Sequence, residues 1–368
     1  MTNNVLVKSS PSSESMDLGK IKFQISGIDL FCGVGGLTHG LVNGGIEITA
    51  GVDIDSNCKF PYTTNNRALF IEKDLRALTS NDIIPLYKKN TLRLLAGCAP
   101  CQPFSTYNRG NKIAVKNDRK WDLLLDFGRL AQEIQPDFVT MENVPQLVSH
   151  SVFTRFCEYL AGYYIWHQVI DCVDYGVPQT RKRLVLLASK HGPIQLIPPT
   201  HANGKQRSVH DVISMLPRIS AGESYASDPL HTSSALSDTN LQRIKMSKPG
   251  GSWRDWPAEL RAKCHLKNSG KTYPSVYGRM DWNLPAPTIT TQCFGFGNGR
   301  FGHPDQDRAI SLREAAIIQT FPIDYQFIPS GSPVRFNVLG RLIGNAVPVR
   351  VGEVISQSFH EHVLQVFH

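Results

Sequence analysis

A thiol, a carboxyl group and two guanidinium groups stand out by type and by setting. Cys101 lies in Gly97-Cys98-Ala99-Pro100-Cys101-Gln102-Pro103-Phe104-Ser105, a proline-bounded stretch directly after the apolar run Leu92 to Ala96. Glu142, followed by Asn143 and Val144, closes a second apolar run that starts at Phe138. Arg181 and Arg183 fall in Gln179-Thr180-Arg181-Lys182-Arg183, just before the run Leu184 to Ala188. Most cysteines are buried and inert, so Cys101 taken alone says little. A thiol at a strand end, with an acid and paired guanidinium groups, is a set suited to attack on an electron-poor ring. Cys98 and Cys101 also make a C-x-x-C, which fits a redox pair or half a zinc site. No second C-x-x-C or nearby histidine pair completes a zinc set, so no metal is expected.

A second group of residues suits a nucleoside-containing cofactor. Asp29-Leu30-Phe31-Cys32-Gly33-Val34-Gly35-Gly36 follows a β-rich run from Ile25 to Phe31 and precedes a helical stretch from Leu37. Glycines there let the backbone turn tightly into a helix N-terminus and approach a ligand closely. Asp53 ends the next strand candidate, Ile46 to Ile54, where a carboxylate can accept hydrogen bonds from ribose hydroxyls. Singly, the glycine loop also fits a structural turn or a dinucleotide enzyme, and Asp53 an ordinary loop acid.

These residues need elements to hold them. Further strand candidates are Ala68 to Ile71, Val169 to Val173 and Leu184 to Ala188, and Leu123 to Ile134 has helical apolar spacing before Pro136. Strands alternating with helices predict a doubly wound, mostly parallel α/β sheet. In such a sheet ligands sit at the carboxyl ends of strands. The clusters 32–36, 53–55, 97–101 and 142–144 all fall at such ends. After about residue 190 the chain turns rich in Pro, Gly, Ser, Lys and Arg. Regular signals return with Ser311, which opens a helix to Gln319 in a capping-box pattern with Glu314, and with a terminal helix over Val349 to Val363.

Composition narrows the class. The chain has 368 residues, 41% hydrophobic and 19% charged, which is globular and long enough for two domains or one domain with a large insertion. No apolar run approaches the roughly 18 residues a membrane span needs. Residues 1–20 are polar, without a secretory apolar region, and read as a loose tail. Eight scattered cysteines argue against a disulfide framework and for a reduced, intracellular setting. The net charge of +8 suggests a polyanionic partner, and residues 201–280 hold 12 Lys and Arg against 6 Asp and Glu.

Taken in order, the D-L-F-x-G-x-G-G loop at 29–36, P-C-Q at 100–102, E-N-V at 142–144, Q-x-R-x-R at 179–183 and G-N-A-V-P at 344–348 resemble the DNA (cytosine-5)-methyltransferases of bacterial restriction-modification type. The resemblance runs from about residue 25 to the end, with one departure: the family usually has Gly-Pro where this chain has Cys98-Ala99. It implies a Rossmann-like class I methyltransferase fold with a smaller, irregular target-recognition domain. The expected division is a tail at 1–20, a catalytic domain at 21–190, target recognition at 191–280 and a returning C-terminal segment at 281–368.

The resemblance also implies roles. Cys101 would be the nucleophile at cytosine C6, Glu142 would act at N3, and Arg181 and Arg183 would hold O2 and nearby phosphates. S-adenosylmethionine would be bound by Phe31, Gly33, Gly35, Gly36, Leu37, Asp53, Ile54, Asp74, Pro100, Leu123, Asn345 and Val347. Gln102, Ser105, Asn143 and Gln179 would contact substrate. The polar, basic segment 104–120 reads as a lid over a flipped base. Of the aromatic residues in the basic region, Trp253, Trp256, Tyr273 and Tyr277, each taken singly reads as core of a small domain. The partner would be double-stranded DNA, with functional pairing to a restriction endonuclease, and the protein a cytoplasmic monomer. The alternatives are a tRNA cytosine-5 methyltransferase and an inactive DNA-binding regulator.

Overall fold

The computed structural model describes residues 23–100, 121–202, 204–268, 270 and 274–367. Cys101, Gln102, Ser105, Tyr273, the 104–120 segment and the N-terminal tail lie outside the described residues. Seven strands form one sheet: β1 (Ile25–Leu30), β2 (Glu47–Asp53), β3 (Leu69–Glu72), β4 (Leu92–Gly97), β5 (Phe138–Asn143), β6 (Tyr164–Asp171) and β7 (Lys182–Ser189). Their spatial order is β3-β2-β1-β4-β5-β7-β6. All pairings are parallel except those of β7, which runs antiparallel to both β5 and β6.

The central strands β1, β4, β5 and β7 read as near-continuous apolar runs because both faces are covered. Side chains alternate between two cores, as strand geometry requires. Leu94, Ala96, Val185 and Leu187 enter one, and Leu95, Leu184, Leu186 and Ala188 the other. The first core is covered by helices α1 (Gly36–Asn43) and α8 (Val349–Phe367), the second by α3 (Trp121–Ile134) and α4 (Ser151–Tyr159). β6 begins at Tyr164 rather than at Val169, and 172–175 form a helical turn instead of strand. As the edge strand it leaves Tyr164 52% exposed, so its apolar signal is weak. Helices α2 (Lys59–Asn66), α4 and α7 (Phe336–Asn345) are not predicted from the sequence: α2 carries a proline and few apolar residues, whereas α4 and α7 are amphipathic, burying Val152, Phe153 and Phe156 and Leu339, Leu342 and Ile343 at helical spacing.

The returning C-terminal segment lies directly against the glycine loop. A Cβ on Gly40 would stand 2.1 Å from Val349 O and 2.7 Å from Gly352 Cα, so only glycine lets α1 and α8 approach this closely. One on Gly36 would stand 2.1 Å from Val347 O. That contact carries Asn345 and Val347 to the carboxyl end of the sheet.

The basic region divides between two cores. Ile194, Leu196, Ile197, Val209, Ile213 and Leu230 pack into the first sheet core. Ile244 in helix α5 (Asp238–Met246) packs with Trp253, Trp256, Phe296 and Ala309 in a separate small core. Trp253 stacks on His265 at 4.3 Å, and Arg243 lies over Trp256 and Tyr277. Helix α6 (Leu312–Ile318) begins at the capping box between Ser311 and Glu314, as the sequence predicts. Among the described residues no helix is long and apolar enough to cross a membrane.

Candidate active site

A cavity of about 640 Å³ opens at the carboxyl ends of β1, β2, β4 and β5. Phe31, Gly33, Gly36, Leu37, Asp53, Ile54, Asp74, Pro100, Leu123, Asn345 and Val347 line it, as do Glu142, Asn143, Arg181 and Arg183. Residues from both ends of the chain thus meet in one space.

The first strand turns into α1 through Phe31 at φ +59°, Gly33 at +53° and Gly35 at +91°. A non-glycine residue in that region is strained, a common feature of ligand sites. Gly33 N–H donates to Asp53 Oδ2 at 2.9 Å and Asp55 N–H to Oδ1 at 2.9 Å. These two bonds fix Asp53 at the cavity wall, while burial raises its carboxyl above the ordinary range. Gly35 does not reach the cavity; it caps α1, where a Cβ would meet Asn66 Nδ2 at 2.4 Å. Beneath the loop, Asp29 is buried and accepts from Thr38 Oγ1 at 2.6 Å, and burial pushes its carboxyl up to about 7. At the rim Asp74 is ion-paired with Arg76, and Asp55 with Arg341 of α7 at 2.6 Å. Ile54 is 67% exposed there, an apolar side chain available to cover a ring.

The second half of the cavity follows from the antiparallel run of β7. Its first residues lie beside the last of β5, with Glu142 opposite Val185 and Asn143 opposite Leu184. Arg183, two residues before Val185, shares its face and becomes a diagonal neighbour of Glu142. Arg183 Nε stands 2.8 Å from Glu142 Oε1, an ion pair without hydrogen-bond alignment. The Cys98 thiol donates to Glu142 Oε2 at 3.0 Å. Burial, and then the Glu142 carboxylate, push the Cys98 thiol well above its usual pKa, which keeps it protonated and a poor nucleophile.

Three residues expected to contact substrate have polar groups engaged within the protein. Gln179 is fully buried outside the cavity: its amide donates to Ile318 O and Gln319 Oε1 and accepts from Ile289 N–H. It ties distant segments together and does not line the cavity. Asn143 lines the cavity but spends its amide nitrogen on Ala99 O at 3.1 Å, holding β5 to the segment before Cys101. Arg181 is 3% exposed and lines the cavity, with its terminal nitrogens on Ile289 O and Ala346 O and its Nε without a hydrogen-bond partner. Burial, and then Arg183, push its guanidinium down to about 9. The sequence reading gave no role to Asp55, Arg76, Cys98 or Arg341 among the lining residues. Asp55 and Cys98 do fall in the strand-end clusters 53–55 and 97–101, whereas Arg76 and Arg341 carry no such signal. No group of three or more metal-ligating side chains occurs among the described residues.

The doubly wound sheet, with a glycine loop, acidic strand ends and a returning segment closing one cavity at the strands' carboxyl ends, is a Rossmann-like fold of the kind that binds ligands there. The chain is 52% identical over 336 residues to the type II methylase M.HgiDII of Herpetosiphon aurantiacus, across 90% of this chain and 94% of that one. It is 30% identical over 344 residues to the type II methyltransferase M.Eco47II of Escherichia coli, across 90% and 78%. In three dimensions it is similar to a prophage-encoded DNA modification methyltransferase of E. coli, with TM-score 0.70, 23% identity and 93% and 100% of the two chains covered. It is similar also to the methyltransferase EhMeth of Entamoeba histolytica, with TM-score 0.66, 17% identity and 93% and 99% covered. Residues 25–361 match the C-5 cytosine-specific DNA methylases, and the chain belongs to that family as a methyltransferase of restriction-modification type.

Proposed function

We propose that this enzyme transfers the methyl group of S-adenosylmethionine to C5 of a cytosine flipped out of a specific double-stranded DNA sequence, by way of a Cys101 adduct at C6. The observation that carries this reading is the single cavity shared by the Gly33–Asp53 wall and the Cys98–Glu142–Arg183 wall. Its volume is in the range of cofactor sites.

The cofactor fits the first wall. Gly33 has no atom within 4 Å of where a Cβ would stand, which leaves backbone open to a ligand. Asp53 retains lone pairs for ribose hydroxyls, Ile54 and Phe31 offer apolar surface for an adenine, and Asp74 is the acceptor for its amino group. Leu37, Leu123, Asn345 and Val347 complete the enclosure. When bound, S-adenosylmethionine supplies an electrophilic methyl group on a sulfonium.

The second wall prepares the base. Pro100, the residue before Cys101 in the sequence, lines the cavity. The Cys101 thiolate forms a bond to C6, which breaks the ring's aromaticity and makes C5 enamine-like. Glu142 holds or donates the proton at N3 as charge builds, and Arg183 keeps that carboxylate in place. Loss of the C5 proton with expulsion of the thiolate restores ring and enzyme. Base flipping costs a few kcal/mol, and the 104–120 segment is assigned to closing over the extruded base, with Gln102 just before it and Ser105 at its start.

Target recognition is assigned to 191–280. Some of its cations are structural, since Arg279 is 5% exposed and bonds Ile244 O and His303 O. Lys205, Arg207, Lys245, Lys248, Lys263 and Lys267 are exposed and suited to phosphates. The biological role we infer is protection of DNA from a cognate endonuclease, by a monomer in the bacterial cytoplasm. Bisulfite sequencing of a plasmid from cells expressing the protein tests the reading. Protected cytosines within one short sequence are expected, and complete conversion would overturn it.

Asp53 gives a test of the cofactor wall. Asp53→Asn should weaken S-adenosylmethionine binding by roughly 10- to 100-fold, the worth of hydrogen bonds to a charged acceptor. DNA affinity should hold within about twofold. Titration calorimetry showing unchanged cofactor affinity would refute the assignment.

A further inference from the structure

We propose that Cys98 is a positioning residue for Glu142, its thiol fixing the carboxylate plane presented to the cytosine ring; this rests on the assignment of Glu142 to N3. The departure from the family pattern at Cys98 is what supplies the donor. The glycine usual at that place has no side chain to donate. Here Cys98 Sγ lies 3.0 Å from Glu142 Oε2, and the other oxygen faces Arg183 Nε at 2.8 Å. The Arg183 contact is unaligned, so the thiol supplies the directional bond that sets the rotation of the carboxylate.

Cys98 is itself held rigidly. Its N–H donates to Leu30 O at 3.2 Å, at the end of β1, and its side chain packs against the first sheet core. A carboxylate offers about four acceptor sites, so two anchors leave lone pairs on both oxygens for the base. Because burial keeps the thiol protonated, it remains a donor at neutral pH and does not compete with Cys101. The C-x-x-C is then a division of labour: Cys101 attacks the ring, and Cys98 orients the acid.

The test compares wild type, Cys98→Ala, Cys98→Gly and Cys98→Ser in the full-length protein on a duplex containing the mapped target. Single-turnover methyl transfer, KM for S-adenosylmethionine and thermal stability are measured for each. Alanine and glycine both remove the donor and should lower the methyl-transfer rate by about tenfold, with KM within about twofold. Serine restores an O–H donor and should return the rate to within about threefold of wild type. A wild-type rate in folded Cys98→Ala or Cys98→Gly would overturn the proposal. So would a serine variant as slow as alanine, since that result assigns the effect to packing. An inactive wild type would instead overturn the underlying reading of Glu142 and Cys101.

Discussion

Cys101→Ser should abolish methyl transfer, lowering the rate by roughly 10³-fold or more, while Cys98→Ser keeps most of the activity. A serine hydroxyl has a far higher pKa than a thiol and cannot supply a useful fraction of anion at neutral pH. The two cysteines are three positions apart in the sequence. Cys98 is committed to Glu142 and held protonated by burial, whereas Cys101 holds the P-C-Q position next to Pro100, which lines the cavity. Incorporation of labelled methyl groups into target DNA measures both variants. An active Cys101→Ser enzyme beside an inactive Cys98→Ser enzyme would reverse the assignment.

The largest effect on stability is expected at Arg308 and Glu314. Both are fully buried, joined by two bonds of 2.7 Å, Nη1 to Oε2 and Nη2 to Oε1. Arg308 Nε also donates to Ile219 O, and Glu314 accepts the Ser311 N–H that starts α6. The pair therefore joins the start of α6 to the segment that carries the small core. Removing one partner strands a buried charge, so Arg308→Ala should cost about 3–5 kcal/mol. Denaturant unfolding measures this, and a loss below about 1 kcal/mol would contradict it.

The same site predicts acid sensitivity. The Arg308 guanidinium holds the Glu314 carboxyl down to about 2, below its ordinary 4.5. Its contribution is complete above pH 4.5 and is lost as pH falls toward 2. His303, 3.6 Å from Glu314, is pushed down by burial to about 4. It stays neutral in the fold while the unfolded chain takes up a proton, so stability falls as pH drops from about 6.5 to 4. Glu314→Gln removes the first of these titrations, and the stability gap to wild type should narrow below pH 4.5.

The sheet is legible in the sequence because its central strands are buried on both faces and read as continuous apolar runs. Edge strand β6 is displaced in the sequence reading because three of its eight residues are exposed and four only half-buried. The strand-end clusters predict the cavity correctly, since residues at the carboxyl ends of parallel strands share one edge of the sheet. Gln179 and Asn143 illustrate what a linear reading misses. Both stand in motif positions, but their amides are claimed by backbone or side chains 44 to 140 residues away. The ion pair of Asp55 with Arg341 spans 286 residues and has no local signature. Cys98 reads as a bystander thiol because sequence does not reveal that β5 brings Glu142 against it.

The most direct test of the mechanism is covalent trapping on a duplex carrying 5-fluorocytosine at the mapped target, with S-adenosylmethionine present. Fluorine cannot leave as a proton does, so the adduct should persist through denaturation, and peptide mapping should place the DNA on Cys101. No resistant complex from an enzyme that methylates the unmodified duplex, or a crosslink on Cys98, would contradict the account.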